Sequence, residues 1–128
     1  MKKLFLNSKI VEYINVLNNT FGEEQNLKLP AKVAFIIEYN TSVLYSKYEF
    51  IEKARVNIGK KYGVLSEDKL RYILPKEKIE LAEMELEQLM GIEQTVELIP
   101  LPLKELDKCD LTLGQIKAIL FMIEQEEE

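Results

Sequence analysis

Six residues between positions 55 and 72 could bind an anionic ligand: Arg55, Asn57, Lys61, Tyr62, Arg71 and Tyr72. They bring guanidiniums, an amide, an ammonium and aromatic faces. A guanidinium holds phosphate or carboxylate through two parallel hydrogen bonds, and the set as a whole suits a phosphate plus a base or sugar. Arginine stands out here because the chain has 15 lysines and two arginines. Arg55 also falls on an apolar helical stripe with Ile51, Ile58 and Tyr62, and a buried guanidinium must be paired or stacked. Two other readings of Arg55 compete with the ligand site. One is an ion pair across a helix interface, to Glu49 or Glu52 of a second copy. The other is a packed stem with its head in water. Asn40, on the same stripe, reads as a polar seam residue that fixes helix register.

The remaining inventory is poor in catalytic groups. There is no histidine, which removes the commonest general base and metal ligand. Cys109 is the one cysteine, so no internal disulfide can form, and it reads as an incidental loop thiol. No Gly-rich phosphate loop is present. Glu80, Glu83, Glu85 and Glu87 crowd one segment, with Glu83 and Glu87 adjacent on a helix face. They read as a solvated acidic face ahead of a magnesium or acid–base site. No catalytic residue, metal ligand or cofactor is expected, and the chain reads as a non-enzyme.

These residues need elements to position them. Residues 1–6 suit a short strand or an arm. Ser8 is a plausible N-cap for a helix to about residue 20, with Ile10, Ile14 and Leu17 on one face. "FGEEQN", Phe21 to Asn26, is a loop. Pro30 fits the first turn of a long helix over about 30–62, with apolar residues at Val33, Ile37, Leu44, Tyr48, Ile51, Ile58 and Tyr62. Lys60 and Lys61 favour its C-terminal dipole, and Gly63 suits a left-handed stop. A polar turn "SEDK" leads to a short strand over about 70–74. A further helix over about 75–90 turns Ile79, Ala82, Leu86 and Leu89 inward. A strand over about 95–100 ends at Pro100 and Pro102. Thr112 and Gln115 form a capping box for a last helix over about 113–125, with Leu111 and Ile116 as a hydrophobic staple. The fold class is α+β, mainly α, in a single domain over residues 1–128, with 124–128 a frayed acidic tail.

Composition sets the setting. Hydrophobic residues make up 47% and charged residues 30%, a globular balance. "MKKLFL" begins like a leader but is interrupted by Asn7, Ser8 and Lys9. The longest apolar run, Ala118 to Ile123, is far short of the ~20 residues of a membrane span. A net charge of −5 argues against nucleic acid as a partner. A cytoplasmic protein with no membrane partner is expected.

Helix length raises the question of assembly. A helix over 30–62 is roughly 50 Å long, whereas a compact domain of this size has a radius of gyration of roughly 14 Å. The stripe therefore needs further cover, and a second copy is the simplest source. "AILFMI" is apolar all round and so must be enclosed. A homo-oligomer is expected, with Ile37, Leu44, Ile51, Ile58, Ile119 and Ile123 at its interface.

"LPAKVAFII" opens the long helix and "YEFIEKARVNIGKKYG" closes it. "ELAEMELEQLMGIEQTVELIPLPLKEL" follows, and "LTLGQIKAILFMIE" ends the chain. This order of features, from Leu29 onward, resembles a group of small phage- and prophage-encoded accessory proteins of low-GC bacteria. The resemblance implies action by stoichiometric binding in the host cytoplasm. Counter-defence comes first, by inhibiting a host protein or by sequestering a small anionic nucleotide signal. The alternative is a virion assembly chaperone or minor structural protein.

Overall fold

A computed structural model describes residues 1–22 and 28–124. The fold is α+β and mainly helical, built around one long central helix. In chain order the elements are β1 (Lys2–Leu6), α1 (Asn7–Thr20), α2 (Ala31–Tyr62), β2 (Val64–Leu65), β3 (Tyr72–Ile73), α3 (Lys76–Met90) and β4 (Glu93–Glu97). A 3-10 segment (Leu103–Lys108), α4 (Leu113–Ile119) and a 3-10 turn (Leu120–Met122) complete them. β1 pairs antiparallel with β4, Leu4 opposite Thr95, and β2 pairs antiparallel with β3.

The core lies where α1, the first two thirds of α2, β4 and α4 meet. Ile10, Ile14 and Leu17 of α1 recur at helical spacing and are fully buried. Val33, Ile36, Ile37, Leu44 and Ile51 of α2 meet them, with Val96, Leu98, Leu101, Ile119 and Met122 completing the cluster. An aromatic trio fills one side. Tyr13 stacks on Phe121 at 4.4 Å between centroids, and Phe5 meets both edge-on.

Several local expectations are corrected. α1 starts at Asn7, not after a Ser8 cap, because the Asn7 amide donates to Ile92 O (2.8 Å) and its side chain is buried. Gly63 ends α2 in an extended conformation (φ −89°), not a left-handed one. Its lack of a Cβ still matters: a Cβ there would collide with the Gly59 carbonyl and lie 3.0 Å from Tyr72 Cβ. The positive φ belongs to Lys69 (59°), closing the Ser66–Lys69 turn, where Lys69 N–H donates to Ser66 O at 2.9 Å. Ile79 lies 38% exposed, while Ala82 is the buried residue of α3.

The capping box of α4 is present. Gln115 N–H donates to Thr112 Oγ1 (3.1 Å), and Thr112 N–H donates to Gln115 Oε1 (2.9 Å). α4 stops at Ile119, however, short of the expected 125. The chain turns through Leu120–Met122 and runs beside Leu101, whose N–H donates to Met122 O (2.9 Å) and whose carbonyl accepts from Glu124 N–H (2.8 Å). Glu124 is thus tied down rather than frayed. The rest of the acidic tail, and most of the expected "FGEEQN" loop, lie outside the described residues.

The residues assigned to a subunit interface need correction too. Ile37, Leu44, Ile51, Ile119 and Ile123 are all buried inside this one chain, at most 7% exposed. The stripe of α2 packs against α1 and β4, and "AILFMI" closes the same core. These five side chains have no surface to offer a second copy. Ile58 is half-buried.

Candidate functional site

The six candidate ligand residues sit at the far end of α2 and on the hairpin after it. α2 outruns the core there. Ile51 is its last buried residue, and Ala54, Ile58 and Tyr62 are half-buried beyond it. α3 folds back against this end.

Arg55 is not on the buried stripe. Its side chain is 56% exposed and pairs with Glu52 Oε2 of its own helix at 2.7 Å. Position 55 lies at the edge of the stripe, so the guanidinium reaches sideways to the carboxylate three residues back. Burial, with the Glu52 carboxylate adding to it, raises the pKa of Tyr48 on the same side of the helix. Lys61 and Tyr62 tie α2 to α3. Lys61 Nζ lies 3.0 Å from Glu85 Oε1 and 5.2 Å from the Tyr62 ring centroid. The Tyr62 hydroxyl, then the Lys61 ammonium, hold Glu85 below the usual carboxylate range, and Glu85 raises Lys61 in return. Asn57, Arg71 and Tyr72 are exposed. Arg71 takes part in the hairpin through its backbone, its carbonyl accepting from Ser66 N–H at 2.9 Å. Asp68 Oδ1 orders the turn by accepting from Ser66 Oγ and from Leu70 N–H (3.1 Å). These hydrogen bonds, Ser66 first, lower its pKa.

Three of the six residues therefore serve contacts within the chain. The structure does not gather the six into a shared cavity. A groove of about 910 Å³ lies elsewhere, between the end of α1 and the first half of α2. Leu17, Phe21, Leu29 and Ile37 are among its apolar lining and Glu38 and Glu49 among its polar lining, and none of the six candidates lines it. Among the described residues, no group of three or more His, Cys, Asp or Glu could hold a metal ion. None of their helices is long and apolar enough to cross a membrane.

This end of the molecule carries exposed apolar surface, as do α2 at Phe35 and Phe50 and the C-terminal segment at Leu113 and Leu120. Leu70 is 84% exposed, and Val64, Leu65, Tyr72 and Ile73 of the same hairpin also face solvent. Leu81 (45%) and Met84 (54%) of α3 do likewise. The sequence reading missed this because "LRYIL" and "IELAEMEL" look like segments that would be buried. Whether they are depends on what packs over them. α2 covers one side of the second, where Ala82 is buried and Leu86 half-buried, and Leu70, Leu81 and Met84 are left exposed.

Cys109 is half-buried and donates to Glu105 O at 3.4 Å. Burial, then the Glu105 carboxylate, pushes its thiol up, the opposite of an activated nucleophile.

Comparison with protein-family models, with curated proteins and with solved structures finds no match to this chain.

Proposed function

We propose that the chain acts without catalysis, by stoichiometric binding of a protein partner through the β2–β3 hairpin and α3. The exposed apolar side chains of that hairpin and helix support this reading. Apolar surface left uncovered over consecutive elements marks an interaction site. Sequestration of a nucleotide has less support, because Arg55 serves Glu52 while Lys61 and Tyr62 serve Glu85.

The resemblance to phage-encoded accessory proteins supplies a setting. In it the partner is a host protein inhibited in the host cytoplasm as counter-defence. The alternative role, escorting a virion subunit during assembly, draws on the same surface, since a chaperone also needs exposed apolar groups.

The test is native mass spectrometry of tagged protein purified from infected cells. The expected particle contains this chain and a second polypeptide in fixed ratio. A variant carrying Leu70→Asp and Tyr72→Asp should lose the second polypeptide while keeping its helical circular dichroism, since both side chains already face water. A particle of this chain alone, or one carrying only a nucleotide mass, would contradict the reading.

A further inference from the structure

Resting on the protein-binding reading, we infer that the outer face of α3 receives a basic amphipathic helix of the partner. α3 turns one side toward α2, with Ala82 buried and Leu86 and Leu89 half-buried. At about 100° per residue, Met84 falls on the opposite side and Leu81 on the flank next to it, and both are exposed. Beside them Glu80, Glu83 and Glu87 form an acidic ridge along the helix.

Charge identifies the occupant. α3 holds five glutamates against two lysines. Among the described residues, the ion pairs of the structure engage one of the five, Glu85. Glu83 and Glu87 stand four residues apart, a like-charge spacing that destabilises a free helix. A cationic partner relieves that repulsion, and it attracts the partner over distance. The apolar pair supplies the contact that charge alone lacks. A methionine beside a leucine on a helix is an adaptable surface for another helix's apolar face. The stripe runs along a helix axis, so a second helix can lay its ridges into the grooves of the first. An acidic partner helix would meet the glutamate ridge with like charge.

The experiment titrates the full chain with a synthetic helix of about five turns. Leucines lie on one face of this peptide and lysines on the other. A second peptide has the same composition in scrambled order. Wild type is expected to bind the amphipathic peptide one to one, and more weakly as salt is added. Leu81→Ser with Met84→Ser should weaken binding by about tenfold or more at any salt. Glu80→Gln, Glu83→Gln and Glu87→Gln together should weaken it comparably at low salt, with no loss of melting temperature. The control set Glu12→Gln, Glu38→Gln and Glu49→Gln should leave it unchanged. Equal binding of both peptides, or equal weakening by the control set, overturns the inference. So does self-association of the chain that the α3 glutamine set abolishes, because the occupant is then a second copy. A native partner retained by the Leu81→Ser, Met84→Ser variant also overturns the α3 site, while leaving the protein-binding reading standing. If no protein partner exists, that reading falls and the inference with it.

Discussion

Asn40, in the first third of α2, ties that helix to Ile99, 59 residues away and just past β4. Its Oδ1 accepts from Ile99 N–H (2.8 Å), and its Nδ2 donates to Ile99 O (2.9 Å) and to Met122 Sδ (3.4 Å). The amide thus satisfies both backbone groups of one residue at the edge of the core, and it is itself fully buried. Asn40→Leu should cost about 2–3 kcal/mol, because two backbone groups lose their partners at once, and chemical denaturation would measure it. Arg55→Met should instead stay within about 0.5 kcal/mol of wild type, since an exposed pair within one helix contributes little. Sequence spacing placed both residues on one stripe, and it was right about burial for Asn40 and wrong for Arg55. A periodicity has finite width, and a long side chain at its edge can leave it. The partner of Asn40 was not legible, because a contact across 59 residues leaves no local pattern; where a register role in a helix seam was expected, it holds this chain's own segment after β4. Asn7 is a parallel case: its Nδ2 donates to Leu89 O (2.8 Å) and its Oδ1 accepts from Gln94 Nε2 (2.7 Å). Glu85 carries a pH signature. Its folded pKa lies below the ordinary 4.5, so its contribution is present above that value and is lost as pH falls through the folded pKa. Lys61 is raised from 10.5, so its contribution is present below that value and is lost as pH rises past the folded pKa. Glu85→Gln should therefore lower the melting temperature at neutral pH, and the gap to wild type should close in acid.

At the scale of elements, helices were legible and strand partners were not. The long helix was expected over 30–62 and spans Ala31–Tyr62, because nothing between its prolines and glycines interrupts the apolar recurrence. β4 spans Glu93–Glu97 instead of about 95–100, since its partner β1 sets where pairing stops. That partner lies at the other end of the sequence, and pairing information is not local. The C-terminal helix ended early for the same reason: the Leu101 backbone competes for the chain after Ile119. Two substitutions probe the element ends. Gly63→Ala should destabilise by about 1–3 kcal/mol, through a Cβ forced against the Gly59 carbonyl. Thr112→Ala should cost about 1 kcal/mol by removing the side-chain acceptor for Gln115 N–H. Thermal melts of the two variants would show the glycine change as the more damaging when it lies at the upper end of its range.

On the scale of the whole molecule, helix length argued for a second copy, but α1 and β4 pack over the first two thirds of α2 and α3 packs against the rest, where Ile58 and Tyr62 are half-buried. Apolar side chains stay exposed on α2 too, Phe35 and Phe50 among them, and the run over consecutive elements is on the hairpin and α3. That is where the proposed binding resides. Its most direct test is amide hydrogen exchange of the chain, free and in complex with whatever protein it retains. New protection confined to residues 64–74 and 76–90 is the result expected. Protection confined to α1 and α4, with the hairpin and α3 exchanging as in the free chain, would contradict it.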